Sequence, residues 1–216
     1  MRFHQPEVNV SEEMYEGSFL LRPLQSAHVE LDYDAVMEDP AYLRTWSQSS
    51  WPANDFTLSE NLKDLERHER EHREGIAFTY TVLSPGSERC LGCVYITPFD
   101  VRIAATRIPA AKRPDPETFS ADVCFWVRPS QVPLDLDYRL LLSIKAWLAG
   151  EWRFDSIFIH TSAADERQSS IFKRAGLERI ARFRAEKPRP GNWALYQIKE
   201  AAGRDPAASH RSQSKI

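Results

Sequence analysis

Two spacings in this 216-residue chain are of the kind that holds metals or moves electrons. His68-Glu69-Arg70-Glu71-His72 spells HExxH, in which two imidazoles one helical turn apart bind Zn²⁺ and the glutamate acts as base. A zinc helix of that type needs an apolar face to seat it on a core. Residues 66–74 contain no apolar side chain, so the stretch reads as the charged, solvated end of a helix. Cys90-Leu91-Gly92-Cys93 spells CxxC. It lies in a run of strand character, where positions i and i+3 point to opposite faces, and it lacks the helix start that lowers a redox thiol's pKa. With Cys124, these cysteines read as small buried apolar groups in a reducing compartment, and no metal site is assigned.

Glycine-based phosphate loops are excluded more firmly. Only 8 residues are glycine, and no two form GxG, so neither GxGxxG nor GxxxxGK[ST] can be read. The net charge of −3 speaks against nonspecific nucleic-acid binding. A mean hydropathy of −0.49, with no long apolar stretch, speaks against a membrane span. The first turns of the chain lack a basic start followed by an apolar run, so a cytoplasmic location is expected. The length suits one domain with decorated ends: an arm over 1–17, a folded unit over 18–198 and a polar tail over 199–216.

The elements that must position any site follow from periodicity. Residues 19–24 read as a first strand, and the stretch from Ser26 to about Trp46 as acidic and mostly helical. The aromatic segment from Trp46 to Thr57 is an ordered loop, and Thr57-Leu58-Ser59-Glu60 opens a helix with a capping box that stops at Gly75. Ile76, Phe78, Tyr80 and Val82 alternate as a strand, and Ser84-Pro85-Gly86-Ser87 turns into the strand of Cys90. A proline-punctuated basic loop over 100–118 leads to a strand over 119–127. Leu140, Leu141, Ile144, Trp147 and Leu148 then form one stripe of a helix, and residues 156–160 form an apolar strand. Strand, helix and strand at this spacing make a parallel right-handed crossover. A helix over 165–175, stopped by Gly176, and a closing hairpin complete the pattern.

This order, and two stretches in it, resemble the GNAT superfamily of acyl-CoA-dependent N-acyltransferases over residues 18–198. Residues 165–177, DERQSSIFKRAGL, resemble that family's late helix, and residues 121–129, ADVCFWVRP, resemble its fourth strand. The resemblance implies an α/β (α+β) fold: a mixed, mostly antiparallel sheet of about seven strands, about four flanking helices and one central parallel βαβ crossover. It also implies acetyl-CoA as co-substrate, no metal, and an amine acceptor that is a small molecule or a peptide. No nucleic acid or membrane partner is implied, and a homodimer is left open.

Residue by residue, the resemblance places Asp122 where the family carries a general base, on a strand whose next-but-one neighbour on the same face includes Trp126. The alternative for Asp122 is an ion pair with an arginine of the 100–118 loop. Trp126, Val127, Val132, Leu134, Asp137, Tyr138, Asp165 and Phe172 fall on cofactor-binding positions, and Trp46 and Trp51 on the acceptor wall. The family's pyrophosphate loop becomes Val132-Pro133-Leu134-Asp135-Leu136-Asp137. Carboxylates there either repel a pyrophosphate, by roughly 1–4 kcal/mol per close pair, or cap the helix that starts there. Phe172 stands where the family has an acidic tyrosine, which leaves Tyr138 as a substitute, and Asp165 reads as a helix cap.

Overall fold

A computed structural model describes residues 12–100, 107–115, 118–185 and 190–198. The tail from 199, the first part of the arm and much of the basic 100–118 loop lie outside these residues. In chain order the elements are β1 (Met14–Glu16), β2 (Phe19–Pro23), α1 (Val29–Val36), α2 (Pro40–Ser47) and α3 (Leu58–Glu74). Then come β3 (Phe78–Leu83), β4 (Cys90–Pro98), β5 (Ser120–Val127), α4 (Leu136–Gly150), β6 (Ser156–Ser162), α5 (Glu166–Arg174), β7 (Glu178–Ala185) and β8 (Gly191–Ile198). One eight-stranded sheet runs β1-β2-β3-β4-β5-β6-β8-β7. Its single parallel pair is β5–β6, joined through α4; every other neighbour is antiparallel.

β1 lies inside the stretch read as an arm, because Gly17 turns the chain back to pair Met14 with Leu21. The helical stretch after Ser26 is two helices. Pro40 cannot donate to the turn before it, and Asp39 caps the second helix by accepting from the Tyr42 N–H. The expected capping box of α3 forms between Thr57 and Glu60.

The sheet has two covered faces. On one, Phe78, Tyr80, Val82, Val94, Ile96, Val123 and Phe125 meet the α4 stripe of Leu140, Leu141, Ile144, Trp147 and Leu148 and the inward side of α5 in the main core. The other face carries two smaller clusters. One packs α1, α2 and α3 over Cys90, Cys93 and Trp126; the other gathers Phe99, Ile108, Phe158, Ile180 and Leu195.

Two local expectations are overturned. The HExxH segment is not a solvated helix end: His72 sits edge-on to Phe78 and Tyr80, with ring centroids 5.1 Å away, and His68 bonds through Nδ1 to the Thr79 hydroxyl at 3.1 Å. Burial lowers the His72 pKa, so a neutral imidazole serves as the apolar face that a count of apolar residues misses. Nor do Cys90 and Cys93 face opposite ways. Gly92 pairs with Val82 but Cys90 with Leu83, which leaves Leu91 as the extra residue of a β-bulge and turns both cysteines into the cluster beneath α1. Gly92 makes this possible: its φ is +155°, and a Cβ there would meet the Trp126 carbonyl oxygen at 2.1 Å.

Candidate active site

β5 and β6 pair only from Ser120–Ser156 to Val123–Ile159 and then part, β6 continuing along β8. Where they part, His160 of β6 and Asp122 of β5 meet on the sheet face between the two smaller clusters, with His160 Nδ1 2.7 Å from Asp122 Oδ1. Both are mostly or fully enclosed, with side-chain exposures of 8% and 18%. Burial works against a charge on His160, but the Asp122 carboxylate outweighs it and pushes the imidazole's pKa up to about 9. At neutral pH the imidazole therefore carries its proton where it faces Asp122. Among the described residues His160, 38 positions on in sequence and on the neighbouring strand, is a partner of Asp122; residues 101–106 of the basic loop lie outside the described residues.

His160 and Trp193, whose ring stands edge-on to it at 5.0 Å, form a wall between two cavities. The larger, of about 460 Å³, is lined by Trp46, Trp51, Tyr95, Trp193, Cys124 and Asp64 among others. The smaller, of about 320 Å³, is reached from Asp122, Thr97, Phe99, Phe183 and Leu195. Trp46 and Trp51 both line the larger cavity. The α2 end of the larger cavity is fastened to β8 by Gln48, which donates to the Asn192 carbonyl and accepts from the Asn192 N–H, both at 2.6 Å. Gly191 leaves room for this clasp, since a Cβ there would lie 2.6 Å from the Gln48 side chain.

On the opposite face, the gap between β5 and β6 is filled by the chain itself. Buried Gln168 of α5 donates to the Phe125 carbonyl at 2.8 Å and accepts from the Thr161 hydroxyl at 2.6 Å. The start of α4 is also occupied. Asp135 stands at its N-cap without any side-chain cap bond, so of the two carboxylates read as caps, Asp135 or Asp137, Asp135 does not act as one. Arg167 instead binds Asp137 at 2.7 Å and Asp135 at 2.8 Å, and Arg174 binds Asp135 at 3.0 Å. Asp137 Oδ1 also accepts from the Tyr138 N–H at 2.9 Å. The two arginines hold the Asp135 carboxyl below the usual carboxylate range, and these carboxylates push the Arg167 pKa up.

The remaining residues assigned to cofactor binding are scattered by the fold. Trp126 is buried under the first helices and donates to the Tyr95 hydroxyl; Val127 and Phe172 are in the main core, Phe172 edge-on to Tyr196. Val132 packs against that core and Leu134 is exposed. Tyr138 lies beneath the Arg174 guanidinium, 3.7 Å from its ring centre, and does not line either cavity beside His160. Asp165 caps α5 by accepting from the Gln168 N–H. Sequence reasoning missed His160 and Gln168, while Arg167 was read only as one of a basic stretch able to attract an anion. His160 lies on β6 two residues beyond Phe158, the parallel partner of Asp122, a register that no local sequence pattern encodes.

No protein-family model matches the sequence, and no curated protein matches it. Solved structures do. The chain is similar to a ribosomal-protein-S5-alanine acetyltransferase from Vibrio fischeri, with a TM-score of 0.68 at 11% identity over 90% of this chain and 100% of that one. It is similar to RimL, a ribosomal L7/L12 α-N-protein acetyltransferase solved with coenzyme A, with a TM-score of 0.63 at 15% identity over 84% and 94%. It is also similar to the microcin C7 self-immunity acetyltransferase MccE, solved with acetyl-CoA and AMP, with a TM-score of 0.64 at 10% identity over 84% and 92%. The chain has the fold of the GNAT acetyltransferases.

Proposed function

We propose that the chain is an N-acyltransferase that takes an acyl group from acetyl-CoA or a related acyl-CoA and delivers it to an amine in the aromatic cavity. The Asp122–His160 pair beside that cavity carries the reading. An acyl-CoA supplies the activated acyl group as a thioester. At the amine end, the residues present fit this chemistry. Trp46, Trp51 and Trp193 give the acceptor an apolar, water-poor wall, and such walls strengthen every charge interaction inside them. The pair takes the proton that the attacking amine must lose. Asp122 fixes the imidazole through Nδ1, and His160 receives the proton once the pair itself has been deprotonated. At the phosphate end, Arg167 and Arg174 beside the start of α4 have the chemistry to hold a pyrophosphate, in exchange for their bonds to Asp135 and Asp137.

The experiment is acetyl transfer to a panel of primary amines across pH. Turnover is expected to rise with pH through about 9, where the pair loses its proton. His160→Gln is expected to lower kcat by about 100-fold or more and to remove that inflection. A profile unchanged in His160→Gln would take the pair out of the mechanism.

A second reading is favoured by a specific observation. Gln168 fills the strand gap and Arg167 is bound at the start of α4, as in a binding or interaction module that has given up acyl transfer. Such a protein would retain the amine cavity but show no affinity for any acyl-CoA.

A further inference from the structure

The β-bulge at Leu91 does more than rotate one side chain: it brings Cys90 and Cys93 together against Asp32 of α1. The two sulfurs and a carboxylate oxygen of Asp32 all lie within 4.8 Å of one another, and all three residues are buried. Cys93 Sγ is 3.3 Å from Asp32 Oδ1. Two thiolates bound to a tetrahedral Zn²⁺ at about 2.3 Å lie roughly 3.8 Å apart, and a thiolate and a carboxylate oxygen roughly 3.6 Å, so only a small contraction separates this cluster from a ligand set.

The surroundings hold the three donors in place. Asn61 of α3 donates to Asp32 Oδ2 at 2.9 Å, which leaves Oδ1 turned to the cysteines. The buried Arg128 donates through Nε to the Cys90 carbonyl at 2.5 Å, its main-chain N–H binds the Leu91 carbonyl at 2.9 Å, and its guanidinium is anchored on Asp34 and Glu38 of the α1 region. The bulge is thus pinned from both sides. The thiols themselves are weak donors, Cys93 to Asp32 Oδ1 at 3.3 Å and Cys90 to the Gly92 carbonyl at 3.4 Å. Asp32 and Asn61 also line the larger cavity, which gives an ion a way in and a water a place as fourth ligand.

We propose that Cys90, Cys93 and Asp32 form a buried site for a thiophilic divalent cation, Zn²⁺ foremost. Binding forms two metal–sulfur bonds and one metal–oxygen bond, and the thiol protons of Cys90 and Cys93 leave to solvent, with the Asp32 proton where that carboxyl is protonated. No electron is transferred. Two thiolates and one carboxylate suit zinc over magnesium or calcium, which take oxygen ligands.

The test uses the full chain, purified under reducing conditions, stripped with a chelator and titrated with Co²⁺ and then Zn²⁺. One equivalent of Co²⁺ is expected to give thiolate-to-cobalt charge-transfer absorption in the near ultraviolet and intense tetrahedral bands in the visible. Zn²⁺ should erase both and raise Tm. The double variant Cys90→Ala, Cys93→Ala should lose the bands and the Tm shift. Asp32→Asn, which keeps both thiols and the bond from Asn61, should weaken Zn²⁺ at least tenfold and move the visible bands. The site is overturned by a folded wild type without the bands, by bands that survive the double cysteine variant, by unaltered affinity in Asp32→Asn, or by recovery of a Cys90–Cys93 disulfide from reduced preparations.

Discussion

An imidazole with a pKa of about 9 is unusual because burial alone would push it the other way; the Asp122 carboxylate at 2.7 Å, with Cys124 beside it, outweighs that burial. The same pair therefore has a signature in stability as well as in rate. The folded-state pKa lies above the ordinary value of about 6.5, so the folded chain binds this proton more tightly than the unfolded one. The stabilisation is complete below about pH 6.5 and is lost as pH rises through 9. Thermal melts of the wild type and of His160→Gln should diverge accordingly: the wild type loses Tm between pH 6.5 and 9 and the variant shows a flatter profile over that range. Parallel profiles would mean that the pair does not titrate as a unit. Of these two residues only Asp122 was legible in the sequence. A strand carboxylate among apolar neighbours announces itself, whereas its partner is fixed by parallel register between strands that α4 separates, which no local pattern encodes.

At the scale of elements, strands and helices follow hydrophobic period closely: the α4 stripe, the α3 capping box and the alternation of β3 and β5 are all in place. The misreadings have physical causes in residues that break the period. The bulge at Leu91 shifts the face of every residue on one side of it, and the imidazoles of His68 and His72 act as apolar surface while scoring as polar. The junction of α4 and α5 has a different lesson. Asp135 and Asp137 were read against a helix start alone, but their charge is answered from α5, 30 and more residues away in sequence. Exposed Asp135 contributes little to stability, whereas Asp137 is buried and depends on Arg167. If a pyrophosphate is to use these arginines, the carboxylates compete with it. Replacing Asp135 and Asp137 together by Gly should then tighten CoA binding by about tenfold or more, given roughly 1 kcal/mol or more for each close like-charge pair removed. Isothermal titration reads this directly, and weaker binding in the double variant would place the phosphates elsewhere.

Across the whole molecule, one eight-stranded sheet separates two faces of different character. The main core and the α4–α5 junction lie on one face; the aromatic cavities, the histidine pair and the cysteine cluster lie on the other. β5 and β6 part beyond Val123 and Ile159, and Gln168 stands in the gap between them. In the proposed reading an acyl donor held at the start of α4 reaches through that gap to an amine on the other face, so donor binding decides between the enzyme and the binding module. The direct measurement is the thermal stability of the full chain with acetyl-CoA and with longer acyl-CoAs. Ligand at about a hundred times its Kd should add about 2.7 kcal/mol, which for a chain of this size raises Tm by roughly 5–10 °C. No rise at millimolar concentrations of any acyl-CoA would contradict acyl transfer from CoA.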